Sequence, residues 1–473
     1  MSNRHIPRHP QRTHDTLDTR TVQRISVIGT GYLGATHAAC LAELGFEVVG
    51  VDVDPLKVEA LNSGRLPFYE PDLEPMVAEH VASGRLRFTT DAAEAARFAS
   101  VHFLCVGTPQ QPGRLAADTS YVEAAVDALA PHLGDGDVVV GKSTVPVGTA
   151  ARLRQRLGGL VSAGVDVDLV WNPEFLREGF AVEDTLRPDR IVIGTGSGDT
   201  GQRSLARLKE VYAVALGAGT PLLVTGLETA ELVKTAANSF LATKISFINA
   251  MAEVCELVGA DVTQLADAIG HDTRIGRRFL NAGIGFGGGC LPKDIRAFRA
   301  RASELGADEA LSFLAEVDRI NLRRRNRVIE LAEDAIGGRV AGAKVAVLGL
   351  AFKPNSDDLR DSPALDIALR LHRRGAQVVS YDPMAVGPAA ARHPGLAYVD
   401  SVRAALDGAD LLIVVTEWSE FTTLDPEVAA RWVATPRVID GRNCLDATAW
   451  QAAGWDYVGM GRYQPARVGV MVG

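Results

Sequence analysis

One cysteine of the chain stands where a covalent reaction can take place. Cys290 follows a run of three glycines, residues 287–289, and precedes Pro292 and Asp294, which suit the first turn of a helix. A helix N-terminus lowers the pKa of a thiol, and the thiolate is the nucleophile. The glycines leave room for backbone and substrate to approach the sulfur. The pattern therefore predicts a reactive Cys290 with a lowered pKa.

A second pattern that could do chemistry, Gly29-Thr30-Gly31-Tyr32-Leu33-Gly34, lies near the start of the chain. It follows a predicted strand and opens a predicted helix, and Asp52 ends the next strand 18 residues after Gly34. Such glycines let a pyrophosphate approach the helix N-terminus, and the acidic residue binds the ribose hydroxyls. Because a carboxylate repels a 2′-phosphate, the pattern predicts NAD and not NADP. A hydride acceptor beside a nucleophilic cysteine indicates oxidation through a thioester.

Two carboxylates follow Asn172-Pro173, a pair typical of a helix N-cap and first turn. Glu174 and Glu178 are four residues apart, so on a helix they would share one face. One of them could act as a general acid or base. The alternative is that they serve the helix start, which accounts for Glu174 in part and hardly for Glu178.

Lys234 and Asn238 are also four residues apart, on a predicted long helix. Side by side they could stabilise a developing oxyanion. The alternative is a lysine at the edge of an apolar stripe, with its stem packed and its ammonium group in water.

Polar residues also follow several predicted strands. Thr108 lies in the run 106–109, and Ser143 and Thr144 lie in the run 142–146, both at strand ends where ligands bind in such sheets. Simple termination of the strands explains these residues equally well. Further along, Lys353, Arg360 and Arg442 near strand ends suit a diphosphate, or are ordinary surface charges.

The elements that must position these residues repeat along the chain. Strands and helices alternate from residue 22 to about residue 220, and the same pattern restarts at residue 344. Between them, residues 228–258 contain neither proline nor glycine and predict one long helix. We predict an α/β protein with two Rossmann-like, doubly wound parallel sheets joined by a long central helix. The predicted divisions are a disordered tail at 1–20, a dinucleotide-binding domain at 21–220, a helical domain at 221–336 and a second nucleotide-type domain at 337–473.

Composition excludes several classes of protein. With 473 residues, 49 basic and 58 acidic side chains and no dense basic run, the chain is not expected to bind nucleic acid. The five cysteines are scattered without a Cys-x-x-Cys pair, so we expect no disulfide framework, no metal site and a reducing cytoplasm. No apolar stretch approaches the roughly 20 residues that span a bilayer, so we expect no membrane partner.

The motifs together resemble the UDP-glucose 6-dehydrogenase family, within the UDP-glucose/GDP-mannose dehydrogenases. The resemblance rests on six segments in the same order: 29–34, 142–148, 172–179, 231–238, 279–294 and 349–353. It implies oxidation of the C6 hydroxyl of UDP-glucose to the carboxylate of UDP-glucuronate with two NAD⁺, in at least a homodimer. It also implies a third domain that binds the UDP-sugar.

The resemblance further implies roles for individual residues. Cys290 forms the thiohemiacetal and thioester, and the other catalytic residues are Lys234, Asn238, Asp294, Glu174 and Thr144. The residues expected to contact NAD are Gly29, Gly31, Tyr32, Leu33, Gly34, Asp52, Lys57, Thr108, Ser143, Thr144, Glu178, Lys293 and Arg360. The residues expected to contact the UDP-sugar are Glu174, Phe175, Leu176, Lys234, Asn238, Phe279, Leu280, Asn281, Gly287, Phe352, Lys353 and Arg442. Arg274 is expected to reach the substrate across the dimer interface.

The chain departs from the family pattern beside the cysteine. Gly289 stands where members often carry Ser or Tyr, and Leu291 stands where Phe is common. Three other functions remain open. The same chemistry could act on GDP-mannose or a UDP-N-acetylhexosamine, and a two-electron hydroxyacid dehydrogenase would need neither Cys290 nor a third domain. A catalytically silent sensor of NAD or a nucleotide sugar would lack one of four residues, Lys234, Asn238, Cys290 or Asp294, and the chain has all four.

Overall fold

The first sheet contains the cofactor fingerprint and the strands that follow it. A computed structural model describes residues 24–462, so the tail predicted at 1–20 lies outside the described residues. The elements of this region are β1 Arg24–Ile28, α1 Tyr32–Glu43, β2 Glu47–Val51, α2 Pro55–Asn62, α3 Leu73–Ala82, β3 Leu86–Thr89, α4 Ala92–Phe98, β4 Val101–Leu104, α5 Ser120–Leu129, β5 Val138–Gly141, α6 Thr149–Leu160, β6 Asp168–Trp171, α7 Ala181–Leu186, β7 Ile191–Gly194, α8 Asp199–Val211, α9 Ala213–Gly217 and β8 Leu222–Thr225.

The strand order of this sheet is that of a doubly wound fold. The order is β3-β2-β1-β4-β5-β6-β7-β8, and β1 pairs with both β2 and β4 in parallel. The predicted parallel sheet is confirmed, with one exception at a single antiparallel bridge between Trp171 of β6 and Gly194 of β7. Strand β8 still pairs with β7, so the sheet extends past the domain boundary predicted at residue 220.

Helices cover both faces of this sheet. On one face, α1, α3 and α8 pack against β1 and β4 through residues such as Ala38, Val77 and Leu208. On the other face, α5 and α6 pack through residues such as Val126 and Leu153. The strands are buried on both sides, as expected where helices cover both faces of a parallel sheet.

The long central helix is confirmed. The helical region comprises α10 Leu227–Val258, α11 Val262–Gly270, α12 Leu291–Glu304 and α13 Phe313–Ile336. Helix α10 has 32 residues and ends where Gly259 adopts a left-handed conformation with φ of 79°. Helices α12 and α13 pack against α10. The start of α10 also contributes Leu227 and Ala230 to the core of the first sheet.

A second sheet repeats the pattern, as predicted. Its elements are β9 Lys344–Leu348, α14 Pro363–Arg373, β10 Gln377–Tyr381, α15 Val386–Arg392, β11 Ala397–Tyr398, α16 Val402–Leu406, β12 Leu411–Val414, α17 Ser419–Thr422, α18 Pro426–Ala430, β13 Arg437–Asp440, α19 Ala447–Ala452 and β14 Asp456–Gly459. The strand order is β11-β10-β9-β12-β13-β14, with every pair parallel. Within residues 24–462, no helix is both long enough and apolar enough to cross a membrane.

Candidate active site

The glycine fingerprint joins β1 to α1 in a turn that only glycine permits. Gly29 has φ of 89°, and a Cβ there would lie 2.7 Å from the side chain of Val106. A Cβ on Gly34 would clash with the carbonyl oxygen of Gly29, whereas the space beside Gly31 is open. Helix α1 starts without a side-chain cap and without an acidic residue in its first turn. Its N-terminal N–H groups and the open space fit the pyrophosphate of a dinucleotide.

Asp52 lies at the end of β2, directly beneath this turn. One carboxylate oxygen, Oδ2, accepts hydrogen bonds from the backbone N–H and the hydroxyl of Thr30, each at 3.0 Å. The same oxygen pairs with Lys57 Nζ at 2.9 Å. Burial acts to raise the pKa of Asp52, but the hydrogen bonds from Lys57, Asp54 and Thr30 outweigh it and lower the pKa. Asp52, which we predict to bind the ribose hydroxyls, is therefore an ionised carboxylate that is hydrogen-bonded to the fingerprint.

The polar residues after β4 and β5 connect the two strand ends. Ser143 Oγ donates to the carbonyl oxygen of Val106 at 2.7 Å, and Thr108 Oγ1 donates to that of Thr144 at 2.6 Å. Ser143 and Thr108 are buried, and Thr144 is half-buried. These hydroxyl groups hold the carboxyl edge of the sheet together where the cofactor and substrate are expected.

The helix predicted from Asn172 onward is wrong. Residues 172–180 form an irregular segment, and α7 begins only at Ala181. The side chain of Asn172 does not cap a helix, because its Oδ1 accepts from Lys142 Nζ at 3.0 Å and its Nδ2 donates to the carbonyl of Val192 at 2.8 Å. Long-range bonds to neighbouring strands thus override the local capping signal.

Without that helix, the two carboxylates separate. Glu174 Oε2 accepts the N–H of Leu176 at 2.7 Å in a local turn, and its Oε1 pairs with Lys234 Nζ at 2.9 Å. Glu178 instead faces the second α/β domain, where its Oε1 pairs with Arg360 Nη2 at 3.1 Å. Burial and the nearby Asp358 raise the pKa of Glu178 to about 7. Glu174 and Glu178 therefore do not act as a pair: Glu174 interacts with Lys234 on α10, and Glu178 interacts with Arg360 of the second α/β domain.

Lys234 and Asn238 on α10 are buried polar groups with partners. Lys234 is 5% exposed, so the alternative of a lysine with its ammonium group in water is wrong. Burial acts to lower the pKa of Lys234, but electrostatic interactions with the titratable groups of Glu174, Cys290 and Asp294 outweigh it and raise the pKa. Asn238 Nδ2 donates to Asp294 Oδ2 at 2.7 Å. Glu174, Lys234, Asn238, Cys290 and Asp294 thus form one cluster of interacting groups.

Cys290 immediately precedes α12, and the residue as a whole is exposed, whereas its thiol group is desolvated by the surrounding protein. Its predicted low pKa is wrong, because desolvation by the surrounding protein and the charge of Asp294 raise the pKa of the thiol to about 11. Glu178 and Glu174 act in the same direction, and only part of this is offset by Lys234. Asp294 is 2% exposed and also pairs with Lys293, whose Nζ lies 2.5 Å from Oδ1. Desolvation is the largest cause of the raised pKa, and the carboxylates add to it.

The glycines before Cys290 make room for the second α/β domain. A Cβ on Gly287 would clash with the carbonyl oxygen of Asp361, and one on Gly289 would clash with the guanidinium of Arg360. A Cβ on Gly288 would lie 2.8 Å from the ring of Phe352. The interpretation that these glycines admit the substrate is therefore corrected: the loop of residues 352–361 occupies that space.

The basic residues of the second α/β domain are not simple surface charges. Arg442 donates to three carbonyl oxygens, from Nε to Val415 at 3.0 Å, from Nη1 to Gly285 at 2.8 Å and from Nη2 to Phe352 at 2.9 Å. It therefore fastens the cysteine loop to this domain. Burial lowers the pKa of Lys353, whose Nζ lies 5.3 Å from the centre of the Phe352 ring.

Several residues that were expected to contact the substrate have partners other than the cluster around Cys290. Leu280 is 1% exposed and packs in the hydrophobic cluster between α10 and α11. Phe279 has φ of 65° and is 38% exposed, and Asn281 Oδ1 accepts from Arg277 at 2.7 Å. The Arg274 side chain is 87% exposed and pairs with Asp272. The half-buried residues near the fingerprint and Lys234 include Tyr32, Leu33, Phe175 and Leu176.

Sequence reasoning missed residues that hold the site in shape. Glu231, one turn before Lys234, accepts the N–H groups of Gly148 and Ala150 at 2.7 and 2.6 Å and so caps α6. Asn321 on α13 is fully buried and exchanges two hydrogen bonds with the backbone of Phe286, at 2.7 and 2.9 Å. The signal for each is a polar residue on the apolar face of a predicted helix, and Glu231 is also the first residue of segment 231–238.

Comparisons with known proteins agree with this arrangement. Three models of the UDP-glucose/GDP-mannose dehydrogenase family match the chain: the NAD binding domain at residues 23–216, the central domain at 228–323 and the UDP binding domain at 346–447. The chain is 41% identical over 443 residues to the UDP-glucose 6-dehydrogenase TuaD of Bacillus subtilis, covering 93% of the chain and 94% of the relative. It is 43% identical over 439 residues to the UDP-glucose 6-dehydrogenase of Rhizobium meliloti, covering 93% and 99%.

A solved structure has the same fold over nearly the whole chain. The UDP-glucose dehydrogenase of the archaeon Pyrobaculum islandicum superimposes with a TM-score of 0.84 at 39% identity. The match covers 96% of this chain and 99% of that one. Both sheets and the helices between them are therefore shared.

Proposed function

The chain belongs to the UDP-glucose/GDP-mannose dehydrogenase family and is an NAD-dependent oxidoreductase, and from this premise we propose that it oxidises UDP-glucose to UDP-glucuronate through a thioester on Cys290. The observation that carries the proposal is the cluster of Cys290, Lys234, Asn238, Asp294 and Glu174 beside the dinucleotide fold. The names of relatives 41% and 43% identical over 93% of the chain support UDP-glucose as the substrate. The same chemistry on GDP-mannose or a UDP-N-acetylhexosamine is the alternative.

The first oxidation converts the C6 alcohol into an aldehyde. NAD⁺, when bound at the fingerprint, supplies the hydride acceptor for each of the two oxidations. Lys234 and Asn238 donate hydrogen bonds from buried positions, so they can hold the C6 oxygen as it loses its proton. Glu174, paired with Lys234 at 2.9 Å, can accept that proton directly or through the lysine.

The aldehyde is then captured as a covalent adduct. The Cys290 sulfur adds to C6 as the C=O π bond breaks, and the thiol proton is transferred in net terms to the carbonyl oxygen, giving a thiohemiacetal. Loss of a second hydride and a proton converts this adduct into a thioester. Covalent capture keeps the aldehyde in the site between the two oxidations.

Hydrolysis completes the reaction. Water adds to the thioester carbonyl, the C–S bond breaks, and the thiol of Cys290 is restored. Asp294, held by Asn238 and Lys293, is the carboxylate that we assign to the activation of this water. The balance is one UDP-glucose, two NAD⁺ and one water consumed, and one UDP-glucuronate, two NADH and three protons formed.

The stoichiometry of the reaction tests this proposal. We expect two NADH per UDP-glucose consumed and no free aldehyde, and we expect Cys290→Ser to bind both ligands without net turnover. One NADH per UDP-glucose, or full activity of Cys290→Ser, would refute the thioester. Two NADH with GDP-mannose or UDP-N-acetylglucosamine and none with UDP-glucose would move the substrate assignment to that sugar nucleotide.

We further propose that the enzyme is at least a homodimer, formed through an apolar stripe on α10. Phe240, Phe247 and Val254 recur every seven residues and are 67%, 50% and 49% exposed, and Leu257 is 87% exposed. A spacing of seven keeps side chains on one side of a helix, and so large an exposed apolar surface favours a second copy. Phe247→Asp should give monomers in sedimentation equilibrium, whereas Val214→Asp, at an equally exposed site on α9, should not. A dimeric Phe247→Asp protein would refute this interface.

The compartment is a separate proposal. All five cysteines are unpaired, which favours a reducing compartment such as the cytoplasm.

A further inference from the structure

Glu70 is a buried carboxylate that the proposed reaction does not use. It lies in the connection between α2 and α3 and is 3% exposed. Its Oε1 accepts the N–H of Ala181 at 2.6 Å, and its Oε2 accepts the N–H of Gly179 at 2.6 Å. The hydroxyl of Tyr32 also donates to Oε2, and it accepts the N–H of Gly179 at 3.0 Å. We call the set of Glu70, Tyr32 and Gly179 the clasp.

The clasp joins two parts of the site that are far apart in sequence. Tyr32 belongs to the glycine fingerprint and is the first residue of α1. Gly179 is the last but one residue of the irregular segment 172–180 that carries Glu174 and Glu178. Buried polar groups are stable only when they are paired, and here the pairs run between the cofactor turn and that segment. The position of one therefore depends on the position of the other.

The same segment also touches the second α/β domain. Gly179 has φ of 78°, and a Cβ there would lie 2.8 Å from the carbonyl oxygen of Asn355. The preceding residue, Glu178, pairs with Arg360 at 3.1 Å, and Arg360 fills the space beside the glycines next to Cys290. Gly179 thus contacts Glu70 and Tyr32 through its N–H and the second α/β domain through its Cα.

We propose that the clasp couples binding of NAD at the fingerprint to binding of the UDP moiety at the second α/β domain, with Glu70 as a positioning residue. This rests on the proposed function, because it deepens the account of the same two ligands. An anion at the start of α1 fixes the turn that carries Tyr32, the clasp fixes Gly179, and Gly179 with Glu178 fixes the loop of residues 352–361. Each ligand then tightens the binding of the other by the same factor.

The test measures binding without turnover. NAD⁺ affinity is determined by calorimetry with and without saturating UDP, and the ratio of the two dissociation constants is the coupling factor. We expect at least about fivefold in the wild type, within the usual range for linked sites. In Glu70→Gln, the amide nitrogen faces a backbone N–H in place of an acceptor, and the coupling factor should fall to within twofold of one.

A matched control and a second variant keep the test decisive. Glu79→Gln removes an exposed carboxylate from α3 and should retain the wild-type factor. Tyr32→Phe removes one hydrogen bond to the carboxylate, should lower the factor in the same direction, and decides the matter if Glu70→Gln does not fold. A wild-type factor near one, or an unchanged factor in the folded clasp variants, overturns the proposal. Because no turnover is involved, neither result depends on Cys290 chemistry, which the NADH stoichiometry tests separately.

Discussion

The raised pKa of Cys290 gives a quantitative prediction for the reactivity of the free enzyme. The pKa is about 11 in place of an ordinary 9.0, so at pH 8 about one thiol in 1000 is ionised, compared with about one in 11. Because a thiolate of higher pKa is also the stronger nucleophile, part of this difference is offset, and alkylation of Cys290 should be about 10 times slower than that of an ordinary exposed thiol. Asp294→Asn removes the charge that, after burial, does most to raise the pKa. Without that charge, the pKa of the thiol should fall and alkylation at pH 8 should become faster.

The assay is iodoacetamide labelling of the unliganded protein between pH 6.5 and 9.5, with the modified cysteine identified by mass spectrometry. The logarithm of the wild-type rate should rise by one per pH unit without levelling. Cys290→Ala gives the background from the other four cysteines, and Glu304→Gln removes the same charge at the far, exposed end of α12. A wild-type rate that levels below pH 9, or an Asp294→Asn rate no faster than that of Glu304→Gln, would refute the electrostatic reasoning.

Three further predictions concern the cofactor, the domain junction and the cysteine loop. Asp52→Asn should raise kcat/KM for NADP⁺ relative to NAD⁺ by at least about tenfold, and an unchanged ratio would mean that Asp52 does not face the ribose. Burial raises the pKa of Glu231 to about 7 from 4.5. Between pH 4.5 and 7, the Glu231 carboxyl is therefore protonated in the folded state and ionised in the unfolded state. The free energy of unfolding should fall by about 3 kcal/mol from this residue as pH rises through 4.5 to 7, and urea titrations of Glu231→Gln should lack that loss. Asn321→Leu leaves the buried N–H and carbonyl of Phe286 unpaired and should cost about 2 kcal/mol in the same titrations, with a cost near zero showing that the loop finds other partners.

Elements with local causes could be predicted from the sequence. The sequence predicts the turn at residues 29–34 because its glycines, the preceding strand and the following helix are adjacent in the chain. The helix predicted at 228–258 is found at Leu227–Val258, since an uninterrupted apolar periodicity and the absence of proline need no distant partner. The second α/β unit was found in the same way, because the period of strands and helices restarts at residue 344.

Features set by distant partners could not be predicted. Asn172 and Pro173 carry the local signature of a helix start, but Lys142 and Val192 on neighbouring strands take the hydrogen bonds of the Asn172 side chain. The glycines before Cys290 predicted space for a ligand, whereas the clashing groups come from about 70 residues further along the chain. No sequence pattern marks Glu70 as a structural residue. Its role depends on the N–H groups of Gly179 and Ala181, which donate to its carboxylate and lie about 110 residues further along the chain.

In the proposed mechanism, the pKa of Cys290 reflects opposing demands of the two half-reactions. The Asp294 carboxylate that we assign to water activation during thioester hydrolysis also disfavours the thiolate. Lys234 acts in the opposite direction, and the surrounding acidic groups outweigh its burial and raise its own pKa, so it stays charged. A thiol of high pKa on an exposed residue resists oxidation and alkylation between turnovers, because those reactions need the thiolate. In the proposed reaction, the thiol would therefore stay protonated until an aldehyde is bound, and the buried cation of Lys234 would stabilise the oxyanion that forms when the sulfur adds.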